Sequence, residues 1–210
     1  MALSQQIRSQ IGGLVLAGGR ATRMGGVDKG LLTLAGKAMA WHVVQALRPQ
    51  VSDLFINANR NLEQYRELGH PVVTDLMGDF PGPLAGMASG MRVAKTPYLL
   101  TAPCDSPFVP ADLAERLHSA LAGKNAEISV AGNQGRLEPV FALLDCRLLP
   151  SLLEYLNSGG RKIDRWYAQH RMAAVDFSDN PRAFLNLNTP EELAAVELEL
   201  KCAQAMRQAV

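Results

Sequence analysis

Cysteine is scarce in this chain: three residues in 210, at Cys104, Cys146 and Cys202. An odd number at wide spacing supplies neither a disulfide framework nor a zinc ligand pattern, and it suits a reducing compartment. Charge of one sign is missing as well. The 21 basic and 20 acidic residues leave a formal net charge of +1. That removes the electrostatic footprint of a nucleic-acid-binding or membrane-surface protein. The longest apolar run near the N-terminus is too short to span a bilayer. It follows polar Ser4-Gln5-Gln6-Ile7-Arg8 and does not read as a signal peptide. No internal repeat, low-complexity tract or linker divides the chain. The expectation is a soluble cytoplasmic protein with no membrane and no nucleic-acid partner.

What is present is an ordinary globular composition, 48% hydrophobic and 20% charged. A domain of this size buries roughly 70% of its unfolded surface and needs no staple, so residues 1–210 are read as one domain. Apolar runs of strand length alternate with helical patterns. Strands are expected at Ile11 to Leu16, Leu54 to Ile56, Pro71 to Asp75 and Pro97 to Ala102. Helices are expected at Ala38 to Arg48, Leu84 to Ala94 and Ala111 to Leu121. Ile128 to Ala131 and Leu137 to Leu144 flank the turn cluster Gly132-Asn-Gln-Gly135, which suggests a hairpin. Leu148 to Leu156 and Lys162 to His170 again look helical. Phe184-Leu-Asn-Leu-Asn188 alternates, which would set Phe184, Asn186 and Asn188 on one face and Leu185 and Leu187 on the other. A final helix opens with Thr189-Pro190-Glu-Glu192, a Thr-x-x-Glu capping box with proline at the first helical position. The pattern describes an α/β, three-layer Rossmann-like domain with a mostly parallel sheet and helices on both faces.

In such sheets ligands gather at the carboxyl ends of the strands. Gly18, Asn57, Asp75, Asp105 and Asn188 all fall at or just beyond such ends. The first of these lies in Leu16-Ala-Gly-Gly-Arg-Ala-Thr-Arg-Met-Gly25, followed by Asp28-Lys29. A glycine-rich loop after a buried strand, carrying Arg20, Arg23 and Lys29, combines bare amides with cations and suits a polyphosphate. Two commoner phosphate motifs are excluded. No Gly-x-Gly-x-x-Gly follows the first strand, and Gly30 to Lys37 misses the P-loop spacing by one residue, with Ala38 after the lysine.

The loop resembles the signature of the nucleotidyltransferases that activate phosphates with nucleoside triphosphates. Gly25-Gly-Val-Asp-Lys-Gly-Leu-Leu32, Asn57-Ala-Asn-Arg60, Pro81-Gly-Pro-Leu-Ala-Gly86, Pro103-Cys-Asp105 and Asn186-Leu-Asn-Thr-Pro-Glu-Glu-Leu193 resemble, in order, the motifs of the molybdenum cofactor guanylyltransferase family. The likeness spans about residues 12 to 197. It implies transfer of GMP from GTP to the terminal phosphate of molybdenum-molybdopterin, with release of pyrophosphate and with Mg²⁺ as cofactor. Leu16, Ala17 and Gly18 would contact the nucleotide through their backbone. Asn57 and Asp75 would help bind GTP, Lys29 its phosphates, and Gly82 to Gly86 would line the guanine pocket. Asp105 would hold Mg²⁺, with Asn188 as a second ligand by analogy with sugar nucleotidyltransferases. The resemblance also implies transient contacts with other cofactor-assembly proteins and molybdoenzyme chaperones; a monomer is expected.

The chemistry of these residue types agrees. Phosphoryl-type transfer needs alignment and charge stabilisation rather than a covalent partner. Lys29 and Arg23 can stabilise charge at the α-phosphate and the departing pyrophosphate. Magnesium commonly takes one or two carboxylates together with substrate phosphates. Each residue has a second reading: Asp105 as a cap, Asn57 and Asp75 as turn formers, Asn188 as a neighbour of the helix cap, Lys29 as a surface cation. Asp28 would orient Lys29 or balance its charge, and Arg20 is peripheral. Arg161, Lys162 and Arg165 form either a phosphate-binding cluster or a solvated face, and Arg136 with Glu138-Pro139 lies where the resemblance places the pterin. His42, His70, His118 and His170 are scattered, structural or exposed rather than metal ligands. Two other functions compete: a cytidylyltransferase of the same fold, and a noncatalytic nucleotide-binding module.

Overall fold

The computed structural model describes residues 4–17, 28–76, 82–187, 189 and 191–199. A short helix α1 (Gln5–Arg8), capped by Ser4, leads into β1 (Ile11–Leu16), whose six residues are all buried. Continuous burial is the mark of a strand covered on both faces. After a 3-10 turn at Lys29–Leu31 come β2 (Thr33–Leu34) and β3 (Lys37–Ala38), then α2 (Met39–Leu47) and β4 (Asp53–Asn57). Next are α3 (Leu62–Arg66), β5 (Val72–Val73), α4 (Pro83–Val93) and β6 (Tyr98–Pro103). The chain continues through α5 (Leu113–Gly123), the hairpin β7 (Ile128–Asn133) and β8 (Arg136–Asp145), α6 (Leu149–Asn157), α7 (Ile163–Tyr167) and β9 (Met172–Asp176). A last helix, α8, covers 191–199.

Seven strands form one sheet in the order β5-β4-β1-β6-β8-β7-β9. β8 runs antiparallel to both its neighbours; the other pairings are parallel. Side-chain alternation along β1 sorts the core into two layers. Ile11 and Val15 face α2 and α5, meeting Val43, Val44 and Leu47 from one and Leu117 and Leu121 from the other. Leu14 and Leu16 face the opposite way, toward Leu84, Met87 and Met91 of α4 and Leu152 and Leu156 of α6. Leu14 is fully buried, and burial of such a side chain contributes about 2 kcal/mol. Helices therefore cover both faces, the three-layer α/β arrangement expected. Among the described residues no helix is long and apolar enough to cross a membrane.

Local details differ from the expectations or add to them. Gly36 and Lys37, at the end of the excluded near P-loop, belong to a β2–β3 hairpin, in which Ala35 and Gly36 both hold positive φ, 48° and 79°. Turns of that twist suit two-residue hairpins; Lys37 lies over the Trp41 ring rather than on a phosphate loop. The alternating segment at 184–187 is not a strand. Phe184 adopts φ 67° and packs its ring on Phe141 and Phe177, with centroids 4.5 and 5.3 Å away. Aromatic packing thus overrides a backbone preference, and the turn parts the two leucines: Leu185 is 43% exposed, Leu187 2%. The Pro71 to Asp75 run pairs only at Val72–Val73, on the sheet edge. β9, unread in the sequence, is an edge strand of weak β-formers with one buried residue, Ala173.

Candidate active site

β5, β4, β1 and β6 are parallel neighbours, so their carboxyl ends lie side by side. In register, Leu16 pairs with Asn57 on one side and Pro103 on the other. The rim thus runs from Asp75 past Asn57 and Leu16 to Asp105. Beyond the last strand pairs, Ala17 N–H donates to the Asn57 carbonyl (2.8 Å) and Cys104 N–H to the Leu16 carbonyl (3.0 Å).

Asn57 is 2% exposed, and its amide is spent within the protein. Nδ2 donates to the Val73 carbonyl (3.1 Å) and to Asp75 Oδ1 (2.8 Å). Asn59 completes the grip: its Nδ2 donates to Asp75 Oδ2 (2.7 Å), and its Oδ1 accepts from Asp75 N–H (2.8 Å). Asp75 is the half-buried group presented at the rim, with Asn57 and Asn59 as its frame. Behind Asn57 lies α4, which starts with Pro83 directly after Gly82. The first turns of α4 press on the rim at Gly86, where a Cβ would sit 2.3 Å from Asn57 Oδ1 and 2.5 Å from Leu16 Cδ2. Only glycine permits that approach.

At the other end, Lys29 opens its 3-10 turn and sets Nζ 3.6 Å from Asp105 Oδ2; both side chains are about one-fifth exposed, 23% and 21%. The Asp105 loop is tied down twice: Leu187 N–H donates to the Asp105 carbonyl (2.9 Å), and Ser106 Oγ hydrogen-bonds to Asn186 Oδ1. The chain just before Asn188 is therefore attached to the Asp105 loop. Glu192 then closes the capping box expected of α8, since Thr189 N–H donates to Glu192 Oε2 and Glu192 N–H to Thr189 Oγ1, each 3.1 Å. Gly18, Arg20, Arg23, Pro81, Asn188 and Pro190 lie outside the described residues.

Asp28 is held by residues other than the adjacent lysine. Its carboxylate is buried (7% exposed), accepts hydrogen bonds from Tyr65 Oη at 2.6 Å and Asn61 Nδ2 at 3.0 Å, and forms an ion pair with Arg60, whose Nε lies 3.5 Å away. Lys29, the adjacent residue, reaches Asp105. Spacing alone did not point to Asn59, Asn61 or Tyr65, although the first falls within the quoted Asn57-Ala-Asn-Arg60 motif. Among the basic cluster, Arg161 donates to the Leu156 and Gly160 carbonyls, closing the end of α6, while Arg165 is exposed. Glu138 stands at the start of β8, and burial, opposed by nearby Arg136, raises its carboxyl above the usual range.

A mostly parallel sheet with this rim, a glycine-rich sequence following β1, and a lysine–carboxylate pair beside it have the layout of a nucleotidyltransferase. Comparison with known proteins narrows the class. Residues 13–174 match the MobA-like NTP transferase domain. The chain is 51% identical over 195 residues to the molybdenum cofactor guanylyltransferase of Cupriavidus pinatubonensis, covering 90% of this chain and 98% of that one. It is 53% identical over 194 residues to that of Ralstonia nicotianae, covering 88% and 95%. Among solved structures, molybdopterin-guanine dinucleotide biosynthesis protein A from Archaeoglobus fulgidus superposes with a TM-score of 0.74 at 22% identity, over 90% of this chain and 98% of that chain. The 4-diphosphocytidyl-2C-methyl-D-erythritol synthase of Anaerococcus prevotii shares the fold at a TM-score of 0.71 and 11% identity, over 94% and 100%. The chain belongs to the MobA-like NTP transferase family, among the molybdenum cofactor guanylyltransferases.

Proposed function

We propose that this protein transfers GMP from GTP to the terminal phosphate of molybdenum-molybdopterin in the cytoplasm, forming the guanine dinucleotide cofactor and releasing pyrophosphate. The observation that carries the reading is the pairing of Lys29 with Asp105 at the carboxyl rim, next to the end of β1. A cation and a carboxylate at that spot suit a triphosphate and the divalent ion that accompanies it.

The donor set fits Mg²⁺. Among the described residues no group of three or more His, Cys, Asp or Glu side chains is gathered to enclose a metal. Magnesium does not need such a cage; it favours oxygen and is often held by one carboxylate plus substrate phosphates. Asp105 offers that carboxylate on a loop secured by Leu187 and Ser106. When bound there, Mg²⁺ would neutralise phosphate charge.

The chain's own residues do the positioning. Backbone at Leu16 and Ala17, followed by Gly18, approaches the nucleotide. Asp75, its two oxygens fixed by Asn57 and Asn59, accepts from N–H or O–H donors of the nucleoside. Asn57 acts beneath it as a frame. The first turn of α4, Gly82 to Gly86, walls the base. Lys29, with Arg23, holds the phosphates and stabilises the charge that develops as the acceptor phosphate oxygen attacks the α-phosphorus and pyrophosphate leaves. The attacking phosphate is already anionic, so no protein base is required.

The direct experiment combines the protein, GTP, Mg²⁺ and molybdenum-loaded molybdopterin and scores pyrophosphate with the dinucleotide product. Parallel reactions with CTP and ATP test the base. Product from GTP alone supports the reading; product from CTP in preference makes the protein a cytidylyltransferase, and GTP binding without pyrophosphate release makes it a binding module.

A further inference from the structure

Asp28 and Lys29 are adjacent, oppositely charged and at the same rim, yet they are engaged with different partners. In isolation a carboxylate next to a lysine competes for its ammonium. Here Asp28 is occupied. Tyr65, fully buried, donates its hydroxyl to Oδ1 at 2.6 Å, a charge-assisted bond, while Asn61 donates to Oδ2 and Arg60 forms an ion pair with it. Burial, Cys104 and the Asp28 carboxylate all raise the Tyr65 phenol, so it remains a donor.

Two local costs accompany this arrangement. Asn61 precedes α3 at the N-cap position, where an asparagine side chain ordinarily accepts from the first helical amides. It makes no such bond; it turns to Asp28, from a left-handed backbone with φ 52° and ψ 35°. Left-handed conformation in a residue other than glycine is costly and marks places where surroundings overdetermine it. The second is at Gly30, where a Cβ would lie 2.4 Å from Tyr65 Oη and 3.0 Å from Cys104 Sγ. The turn bearing Lys29 is thus seated directly on the phenol that holds Asp28.

We infer that Tyr65, assisted by Asn61, is a positioning residue for Lys29: by occupying the Asp28 carboxylate it fixes the Asp28–Gly30 turn and leaves the lysine ammonium to the phosphate site at Asp105. The inference rests on the reading of Lys29 as the phosphate-binding cation.

The test is steady-state pyrophosphate release from GTP with loaded molybdopterin, measured for Tyr65→Phe, Asn61→Gly, Lys29→Ala and the Tyr65→Phe/Lys29→Ala double variant. Phenylalanine keeps the buried ring and removes only the hydroxyl; glycine keeps the left-handed backbone and removes only the amide donor. Misplacing a catalytic cation by about an ångström costs up to ~100-fold. Tyr65→Phe should therefore lower kcat on the order of tenfold or more while melting as a cooperative fold, with Asn61→Gly moving in the same direction. In the Lys29→Ala background Tyr65→Phe should add no further loss, because the group it positions is gone. Lys29→Ala impaired while both Tyr65→Phe and Asn61→Gly keep wild-type kcat would overturn the inference alone. So would a Tyr65→Phe loss that carries over undiminished into the double variant, the mark of a merely structural role. Wild-type turnover by Lys29→Ala would remove the phosphate-binding reading and this inference with it. If Tyr65→Phe fails to fold, Asn61→Gly, alone and with Lys29→Ala, decides in its place.

Discussion

Gly86→Ala should be harmful even though alanine is the better helix former. An interior glycine costs a helix about 1 kcal/mol relative to alanine, so propensity alone predicts a gain. The structure opposes it. The new methyl would lie 2.3 Å from Asn57 Oδ1 and 2.5 Å from Leu16 Cδ2, so one partner must retreat by about an ångström. Asn57 is poorly placed to retreat, since it is 2% exposed and its amide is bonded to the Val73 carbonyl and Asp75. Either those bonds loosen, at about 1 kcal/mol each and more for the charged partner, or α4 moves off β1 and β4, with an overpacking cost of about 1–3 kcal/mol. After the propensity gain the net is roughly 1–2 kcal/mol of destabilisation, which for a chain of this size lowers Tm by about 2–8 °C. Because Asn57 frames Asp75, GTP affinity should also fall, by about tenfold. Thermal melts and GTP titration of Gly86→Ala measure both effects. Gly123→Ala serves as the control: it closes α5, where a Cβ would meet nothing within 4 Å, and should be neutral or mildly stabilising. A Gly86→Ala variant that melts at or above the wild type and binds GTP normally would refute the account of this rim.

Lys29→Ala and Asp105→Asn should each cut turnover on the order of a hundredfold, with Tm little changed because both side chains reach solvent at the rim; near-normal turnover of Asp105→Asn at saturating Mg²⁺ would remove the proposed metal role. A pH effect is expected away from the site. Burial would raise the Asp145 carboxyl, but hydrogen bonds from the Arg147 side chain and backbone outweigh it and hold the group below its ordinary 3.8. A depressed carboxylate contributes stability above its unfolded value and loses it as pH falls through the folded one. Arg147→Ala should thus lower Tm by a few degrees at pH 7, with the deficit closing in melts taken progressively below pH 4; a deficit independent of pH would point to lost packing instead.

Much of the fold was legible because its signals are local. The buried run at Ile11 to Leu16, the amphipathic spacing of α2 and α5 and the Thr189–Glu192 capping box each depend on residues a few positions apart, and each is present. The misreadings have a different origin. Phe184 takes its conformation from Phe141 and Phe177, the former 43 positions away, and no window around 184–188 contains that contact. β9 is specified by its pairing with β7 more than by its own weak strand formers. At the rim, strand ends marked Asn57, Asp75 and Asp105 as neighbours, but the division of labour among them required the hydrogen bonds. Asn57 is the better motif residue, and Asp75 is the one that reaches the surface.

The same distinction applies on either side of the glycine-rich segment. Its composition offers amides and cations; hydrogen bonds fix the residues that precede and follow it. On the β1 side, Ala17 N–H is bound to the Asn57 carbonyl, and Leu16 is locked between Asn57 and Cys104. On the far side, Asp28 is held by Tyr65, Asn61 and Arg60. Both flanks are thus anchored on one rim. On the function proposed above, the buried Asp28–Tyr65 contact, outside any phosphate motif, would serve the phosphate site by fixing the turn that bears Lys29.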